Sequence, residues 1–239
     1  MVSAPQRWHG GSWRQVRQPI AQFLIKFLIT GPADAAVRFL CAHGAGAGRE
    51  TPFLTAIAAL LAERGVATYR FEFAYMAGRR QGARKPPPRA ERLRDEYRAA
   101  VAALPAGVPL IIGGKSMGGR VASLVADELY RERCIIGLAC LGYPFHPPNK
   151  PEQLRTAHLR AQRCPALIVQ GERDPFGARA EVTSYDLSPA IQVHWAGDGD
   201  HDLAPRGGSG FTRKGNLAQA ADAIADFAKR AVERGTGRS

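Results

Sequence analysis

The stretch that decides the fold is residues 108–129, VPLIIGGKSMGGRVASLVADEL. A short apolar run reaches two glycines, a Lys-Ser pair and two more glycines, and apolar residues then recur at helical spacing at Val121, Leu124, Val125 and Leu129. This change of period predicts a buried strand that turns sharply into a helix. Ser116 lies in the turn, within GKSMG, which fits the G-x-S-x-G pattern of a nucleophile elbow.

Glycine suits the positions beside Ser116 because the turn is strained and larger side chains would collide with the neighbouring strand and helix. Two alternatives fit the same pentapeptide. An ordinary N-capping serine would use such a turn, and Gly114-Lys115-Ser116 matches the end of a phosphate-binding P-loop. The P-loop pattern needs a glycine where Pro109 stands, which disfavours it. The pentapeptide alone leaves the capping alternative open.

The composition indicates a folded protein with an unusual charge. At 239 residues the chain is long enough for one sizeable α/β domain, and 45% apolar with 23% charged residues excludes wholesale disorder. The net charge of +12 would attract nucleic acid, an anionic membrane or an anionic substrate, or would simply solvate the surface. No aromatic-basic RNA signature or DNA-reading helix motif accompanies the charge, so a nucleic-acid partner is not expected.

The sequence also indicates the domain boundaries and the cellular compartment. We expect a flexible basic N-terminal tail at residues 1–20 and a single domain at residues 21–239. The four cysteines (Cys41, Cys134, Cys140 and Cys164) form no C-x-x-C pair, which favours small core residues in a reducing compartment. The apolar run at residues 20–29 is about half the length of a membrane span. We therefore expect a cytoplasmic protein without a membrane partner, and the sequence leaves its oligomeric state open.

Periodicity predicts alternating strands and helices. Strands are predicted at residues 23–30, 36–42, 66–73, 108–113, 135–143, 166–170 and 191–195, and the first two read as a hairpin around Gly31-Pro32. Helical stripes are predicted after Thr51, at residues 93–104, after the elbow, briefly at 154–161 and at the C-terminus; residues 75–88 read as a basic loop. This alternation indicates an α/β fold: a mostly parallel sheet with helices on both faces.

Four unusual turns follow four of the predicted strands: HGAGAG, GKSMGG, GERDPFG and GDGDHD. Functional groups collect at the carboxyl ends of parallel strands. We predict Ser116 as nucleophile, His201 as the general base and Asp174 as the carboxylate that orients it, in the chain order Ser, Asp, His of α/β-hydrolases. Glu172, and an Asx-turn role before Pro175, compete for the part given to Asp174.

The turn after residue 42 is predicted to supply part of an oxyanion hole, formed by the backbone amides of Ala45 and Met117. His43 is expected to be structural, its ring bridging loop backbone groups. His146 and His158 are expected to be surface or packing residues rather than catalytic ones.

The residues around the predicted site restrict the choice of substrate. Tyr75, Arg79, Phe145 and His146 are predicted to bind substrate, with His146 lining the pocket. Only a short segment separates Tyr143 from Cys164, so we expect a minimal lid or none, and an open site for small or exposed esters. The basic stretch at residues 79–89 favours substrates that carry a carboxylate or phosphate.

No metal or cofactor is expected. The run DGDHD at residues 198–202 suggests calcium, but an EF-hand would require glycine at Leu203 and glutamate at Ser209. No His/Cys cluster has zinc spacing.

Several stretches taken together resemble a known group: LCAHGAGAG, YRFEFAYMAGRR with KPPPR, GGKSMGGRVAS, LGYPFHPP with LRTAHL, VQGERDPFG and GDGDHDL. From about residue 23 to the end, the chain resembles α/β-hydrolases of the dienelactone-hydrolase-like kind. It is more closely similar to a small family of predicted hydrolases related to a testis-expressed vertebrate protein and to a subunit of a chromatin-associated acetyltransferase complex. The resemblance implies the α/β-hydrolase fold and supports Ser116, Asp174 and His201 as a triad. Dienelactone hydrolase itself has a cysteine nucleophile, so Ser116 disfavours dienelactone as the substrate of this protein.

The leading functional hypothesis is a serine hydrolase that acts on a small-molecule ester, thioester or lactone through an acyl-enzyme. A hydrolase-fold scaffold without turnover is a second hypothesis, since fold does not guarantee chemistry. Association with nucleic acid through the arginine surplus is a third.

Overall fold

The computed structural model describes residues 25–80, 82 and 86–236, and within them a seven-stranded sheet organises the molecule. The strands are β1 (Leu28–Thr30), β2 (Val37–Ala42), β3 (Val66–Phe71), β4 (Leu110–Lys115), β5 (Gly137–Leu141), β6 (Ala166–Gly171) and β7 (Ile191–Ala196). Their order across the sheet is β1-β3-β2-β4-β5-β6-β7; β1 pairs with β3 antiparallel, and the other pairs are parallel. The predicted mostly parallel sheet is confirmed.

Six α-helices and a short 3-10 helix accompany the described strands. The α-helices are α1 (Pro52–Ala62), α2 (Ala74–Arg80), α3 (Arg94–Ala102), α4 (Met117–Arg131), α5 (Arg179–Val182) and α6 (Arg213–Thr236), and the 3-10 helix is Ala90–Leu93. Thr51 begins α1 as predicted: its hydroxyl accepts a hydrogen bond from the Leu54 amide, and Pro52 occupies the first turn.

Helices cover both faces of the sheet because successive residues of each strand point to opposite faces. One face carries the α3–α4 core, in which Leu40, Ile112 and Ile168 of the strands pack with Tyr97 and Val125. The other face carries the α1–α6 core, built from these residues among others: Phe39, Ile111, Leu167, Phe53, Ile57, Ile224 and Phe227. The inner strands β4, β5 and β6 are buried along their whole length, as continuous apolar runs predict.

Three local predictions are wrong. The first strand does not form a hairpin with the second; β1 pairs with β3, with Leu28 opposite Arg70. The predicted loop after residue 74 begins with α2, and the helix predicted at residues 154–161 is a series of turns. The predicted tail at residues 1–20 and part of the basic loop, residues 81 and 83–85, lie outside the described residues.

The segment between β5 and β6 contains no helix or strand, and every residue of it is described. The expected minimal lid is therefore confirmed as a feature of the fold. The carboxyl ends of β2, β4, β6 and β7 lie at one edge of the sheet, since these strands are parallel. The four turns of interest follow at that edge.

Candidate active site

The nucleophile elbow is strained where the sequence predicted it. Ser116 lies between β4 and α4 with φ +51° and ψ −118°, a conformation that non-glycine residues rarely adopt. Its amide donates to the carbonyl of Leu141 on β5 at 2.9 Å. Its side chain makes no capping hydrogen bond to α4. The N-capping alternative therefore loses its support, and the hydroxyl is left available for other chemistry.

The flanking glycines are required because strand β2 passes directly beside the elbow. A Cβ on Gly114 would lie 2.4 Å from the carbonyl oxygen of Ala42, and one on Gly118 would lie 2.5 Å from the same atom. Gly118 would also approach the carbonyl oxygen of His43 to 2.6 Å. These contacts are with backbone, which cannot move aside cheaply. Steric need for glycine thus explains the pattern around Ser116.

Asp174 and His201 form the second part of the site. The Nδ1 atom of His201 lies 2.8 Å from Oδ2 of Asp174, whose side chain is fully buried. The same carboxylate accepts hydrogen bonds from the Gln170 amide group at 3.0 Å and from the Phe176 backbone amide at 2.9 Å. A buried carboxylate with these donors holds the imidazole in one orientation.

Glu172, the competitor for the role of Asp174, is used elsewhere. Its carboxylate pairs with Arg179 at 2.6 Å and accepts from the Asp198 amide at 2.9 Å. These bonds tie Glu172 to the start of α5 and to Asp198, and so they anchor the surrounding loops. Glu172 makes no described hydrogen bond to His201.

The turn at Leu141 and Gly142 lies between Ser116 and His201. Leu141 accepts the Ser116 amide, and a Cβ built on Gly142 would lie 3.2 Å from Nδ1 of His201. Within the described residues, Ser116 and His201 make no hydrogen bond to each other. Catalytic contacts of this kind are often long in the absence of substrate. The structure therefore brings Asp174 and His201 into contact, and it places Ser116 at the end of β4, which β5 separates from β6 at the same edge of the sheet.

Phe176 covers the histidine. Its ring centroid lies 4.4 Å from that of His201, and its side chain is partly exposed. An aromatic ring at this position shields one face of the imidazole from water. The sequence did not indicate a role for Phe176, because a phenylalanine after Asp-Pro carries no distinctive chemical signal.

The loop that carries His201 is held by three aspartates. Asp198 pairs with Arg206 at 2.6 Å and with Arg173 at 2.8 Å, and the hydrogen bond from Arg206 lowers the pKa of Asp198 to about 2. Asp200 accepts the amides of two later residues of the loop, and Asp202 forms an ion pair with Lys115. Among the described residues, no group of three or more His, Cys, Asp or Glu side chains is arranged to hold a metal ion.

The predicted oxyanion loop is fixed from outside by two of the predicted substrate-binding residues. The hydroxyl of Tyr75 donates to the carbonyl of Ala45 at 3.2 Å, and Nη1 of Arg79 lies 3.5 Å from the same oxygen. Burial raises the pKa of Tyr75 to about 12, so the phenol remains a donor at neutral pH. Neither the Ala45 amide nor the Met117 amide donates to another described residue. Within the described residues, both N–H groups therefore lack a protein acceptor.

His43 has the bridging role expected of it. Nε2 accepts a hydrogen bond from the Phe73 amide at 3.1 Å, and Nδ1 lies 2.7 Å from the carbonyl of Gly44. The ring ties the end of β2 to the segment after β3. This contact holds the predicted oxyanion loop against the segment after β3.

Phe145 and His146 are buried in the packed interior. Phe145 is fully buried against the rings of Tyr143 and Tyr185, and His146 is 3% exposed. Nδ1 of His146 lies 2.8 Å from the Pro147 carbonyl. Burial favours a packing role for both side chains, and their contact with substrate stays a prediction.

Two buried residues of the site had no signal in the motifs. Gln170 bridges the Tyr143 backbone and Asp174, and Lys115 reaches the loop of His201. Glutamine is found at the ends of apolar strands without any functional role. Lysine in the variable position of G-x-S-x-G likewise signals no particular function. Only their burial in the fold distinguishes them.

Comparison with known proteins places this geometry in context. Residues 35–229 match a family model described as an alpha/beta hydrolase domain. Dienelactone hydrolase from Anabaena variabilis is 20% identical, with a TM-score of 0.65, 85% of this chain covered and 90% of that one. Est1E from Butyrivibrio proteoclasticus is 15% identical, with a TM-score of 0.62 and coverage of 87% and 99%.

A third structure bears on the short β5–β6 segment. XC6422 from Xanthomonas campestris, described as a serine hydrolase without a lid, is 15% identical with a TM-score of 0.56, and 88% of each chain is covered. At these identities the three structures share the fold. In the described part of this chain, no helix is long and apolar enough to cross a membrane.

Proposed function

Because the chain belongs to the alpha/beta hydrolase domain family, we propose that it is a serine hydrolase acting on a small ester, thioester or lactone. The observation that carries the proposal is the 2.8 Å contact between His201 and the fully buried Asp174, at the sheet edge that also carries the strained Ser116. The proposal takes these three residues as a catalytic triad that needs no metal or cofactor.

The chemistry proceeds through an acyl-enzyme. Oγ of Ser116 bonds to the carbonyl carbon of the substrate while Nε2 of His201 takes the hydroxyl proton. The carbonyl electron pair moves to oxygen, where the amides of Ala45 and Met117 and the positive end of α4 stabilise the charge. Collapse expels the alcohol or thiol, which receives the proton from His201. Water then attacks the acyl carbon while His201 takes a proton from the water. Collapse of this second intermediate releases the acid, and His201 returns the proton to Oγ of Ser116.

An activity-based probe tests the proposal. A fluorophosphonate should label the wild-type protein at Ser116, and Ser116→Ala should abolish labelling. Ser123→Ala is the matched control, because Ser123 contacts a histidine, with Oγ 2.8 Å from Nε2 of His158, yet is only 5% exposed. This control should be labelled like the wild type, with or without a chelator. A folded wild-type protein that stays unlabelled would favour the scaffold hypothesis.

We further propose a preference for anionic substrates. Arg79 is partly exposed and lies beside Ala45 of the proposed oxyanion loop, where a substrate carboxylate or phosphate would meet its charge. The test compares kcat/KM for p-nitrophenyl acetate and p-nitrophenyl hydrogen succinate at two salt concentrations. Arg79→Gln should remove the preference, whereas Arg92→Gln, the same charge change on an exposed residue of the 3-10 helix, should not. Equal wild-type values without a salt effect would refute the preference.

Cytoplasmic location and a small-molecule partner are parts of the same proposal. The four cysteines are free thiols, and three are buried, which suits a reducing compartment. Binding to nucleic acid is the outcome that the proposal excludes. Filter retention of RNA or DNA that falls steeply with salt would contradict it.

A further inference from the structure

Lys115 is a buried lysine immediately before the proposed nucleophile. The residue is 7% exposed, although lysine is among the residues least often buried. Its ammonium lies 3.2 Å from Oδ1 of Asp202 and 5.3 Å from the centroid of the Phe53 ring. An ion pair and a cation–π contact thus compensate for part of the lost hydration.

The carboxylates that act most strongly on the ammonium belong to the proposed site or its loop. Burial lowers the pKa of Lys115, and the neighbouring carboxylates of Asp202, Asp174 and Asp200 act in the opposite direction. A cation that served only to fill the α1–α6 core would have no reason to form an ion pair with Asp202. A methionine would occupy the same volume without desolvating a charge.

The position of the ammonium relative to His201 gives it a specific task. A Cβ built on Gly142 would lie 3.2 Å from Nζ of Lys115 and 3.2 Å from Nδ1 of His201. The lysine therefore lies across one glycine from the imidazole and is bonded to the residue that follows His201 in the chain. Asp174 fixes the ring, and the ion pair fixes the backbone next to it.

We propose that Lys115 is a positioning residue which, through its ion pair with Asp202, holds the loop of His201 in the orientation that lets the imidazole face Ser116. The inference rests on the proposed function, since it assigns a part in the same site. Nucleophile and anchor are adjacent in the chain, so any movement of the elbow carries the anchor of the base with it. In this protein, the residue at the first variable position of G-x-S-x-G thus couples the nucleophile to the loop that carries the base.

The test uses Lys115→Met and Asp202→Asn in the full chain. Asp202 has a side chain that is 60% exposed, so its variant should fold even if the buried substitution does not. The matched control is Asp222→Asn, which breaks the ion pair with Arg64 (2.6 Å) on the α1–α6 side of the molecule, outside the site. Each protein is labelled with ¹⁵N-histidine, and the ring signals of His201 are assigned by their loss in His201→Gln.

The positioning role predicts a change in the His201 spectrum. Long-range ¹H–¹⁵N correlations should report one tautomer, protonated at Nδ1, in the wild type and in the control. Both site variants should instead show exchange-broadened or mixed-tautomer signals, because the ring is no longer held against Asp174. Fluorophosphonate labelling of Ser116 should slow roughly 10- to 100-fold in the same two variants, through kcat rather than KM in an ester assay.

The outcomes separate this inference from the proposed function. Unchanged His201 signals in a folded Lys115→Met or Asp202→Asn protein would overturn the positioning role, whatever the labelling rate. A wild-type protein that is not labelled, but whose variants lose the single His201 tautomer, would retain the positioning role and refute serine hydrolysis. An equal change in Asp222→Asn would also overturn the inference, since the effect would then not be local.

Discussion

At the scale of single residues, the Tyr75 hydroxyl connects the fold to the proposed chemistry. It donates to the carbonyl of Ala45, so it sets the plane of the loop whose amide is proposed to meet the oxyanion. Hydrogen bonds that orient an oxyanion donor act mainly in the transition state. The phenol is therefore a positioning group as well as a predicted contact for substrate.

Tyr75→Phe should lower kcat with little change in KM. Loss of one hydrogen bond to the loop, worth about 1 kcal/mol, corresponds to roughly a fivefold fall in rate. The measurement is steady-state hydrolysis of p-nitrophenyl acetate. Tyr69→Phe is the control, because the hydroxyl of Tyr69 makes no hydrogen bond within the described residues. An unchanged kcat in Tyr75→Phe would show that the Tyr75 hydrogen bond does not position the loop for the reaction.

The residues that the sequence could nominate are those whose predicted role depends on chain order and on backbone strain. Ser116, Asp174 and His201 follow three strand ends in the order that the fold requires, and glycines mark the strained turn. Their contact geometry was not available, because Asp174 and His201, which are 27 residues apart in the chain, meet only when β6 and β7 pair in the sheet. Lys115 had no signal at all, since burial of a lysine is a property of the tertiary structure.

At the scale of elements, the segment between β5 and β6 shows where local patterns fail. Between residues 154 and 161, apolar residues recur at helical spacing. Their backbone groups nevertheless form hydrogen bonds with partners elsewhere in the chain rather than within a helix. The Arg155 amide donates to the Phe145 carbonyl at 2.7 Å, and the Leu159 carbonyl accepts from the Ser188 amide. Tertiary partners have replaced the hydrogen bonds that a helix would make.

The same reasoning explains the wrong pairing of β1. A short turn at Gly31 and Pro32 favours a hairpin with the next strand in the chain. Both edges of β2 are instead occupied by the parallel strands β3 and β4, so β1 pairs with the free edge of β3. Which edge is free depends on crossover connections that no local pattern records.

His158 fastens this segment to α4, and its protonation should loosen the contact. Nε2 lies 2.8 Å from Oγ of Ser123 and 3.4 Å from the hydroxyl of Tyr143. Burial, aided by the nearby charge of Arg120, lowers the pKa of His158 to about 4. In the unfolded chain a histidine titrates near pH 6.5, so the unfolded state binds the proton first as the pH falls.

The free energy of unfolding should consequently decline between about pH 6.5 and pH 4, by at most about 3 kcal/mol from this residue. His158→Gln should remove that part of the decline, because glutamine does not titrate. Urea unfolding of both proteins between pH 7 and pH 4.5 measures the difference, and the same pair at pH 8 gives the baseline. Parallel curves for the two proteins would contradict the assignment.

At the scale of the whole molecule, one sheet separates two hydrophobic cores, and every inner strand contributes to both. The α3–α4 core includes Leu129 and packs against Trp195 of β7, whereas the α1–α6 core includes Ile224. Alternate residues of each strand point into different cores, so neither core can lose its strands while the other remains intact. The shared strands favour the single domain predicted for residues 21–239, which stays a prediction.

Shared strands should make the two cores unfold together. In a Trp8→Phe, Trp13→Phe background, Trp195 fluorescence reports the α3–α4 face, and far-ultraviolet circular dichroism reports the whole molecule. Leu129→Ala and Ile224→Ala should each lower the free energy of unfolding by about 3 kcal/mol, because each leaves a cavity in a packed core. In urea, both variants should shift the two signals to the same new midpoint, as an all-or-none transition requires. If Ile224→Ala moved the circular dichroism transition and left the Trp195 transition in place, the faces would be separate folding units, and the proposed active site would lie at the boundary between them.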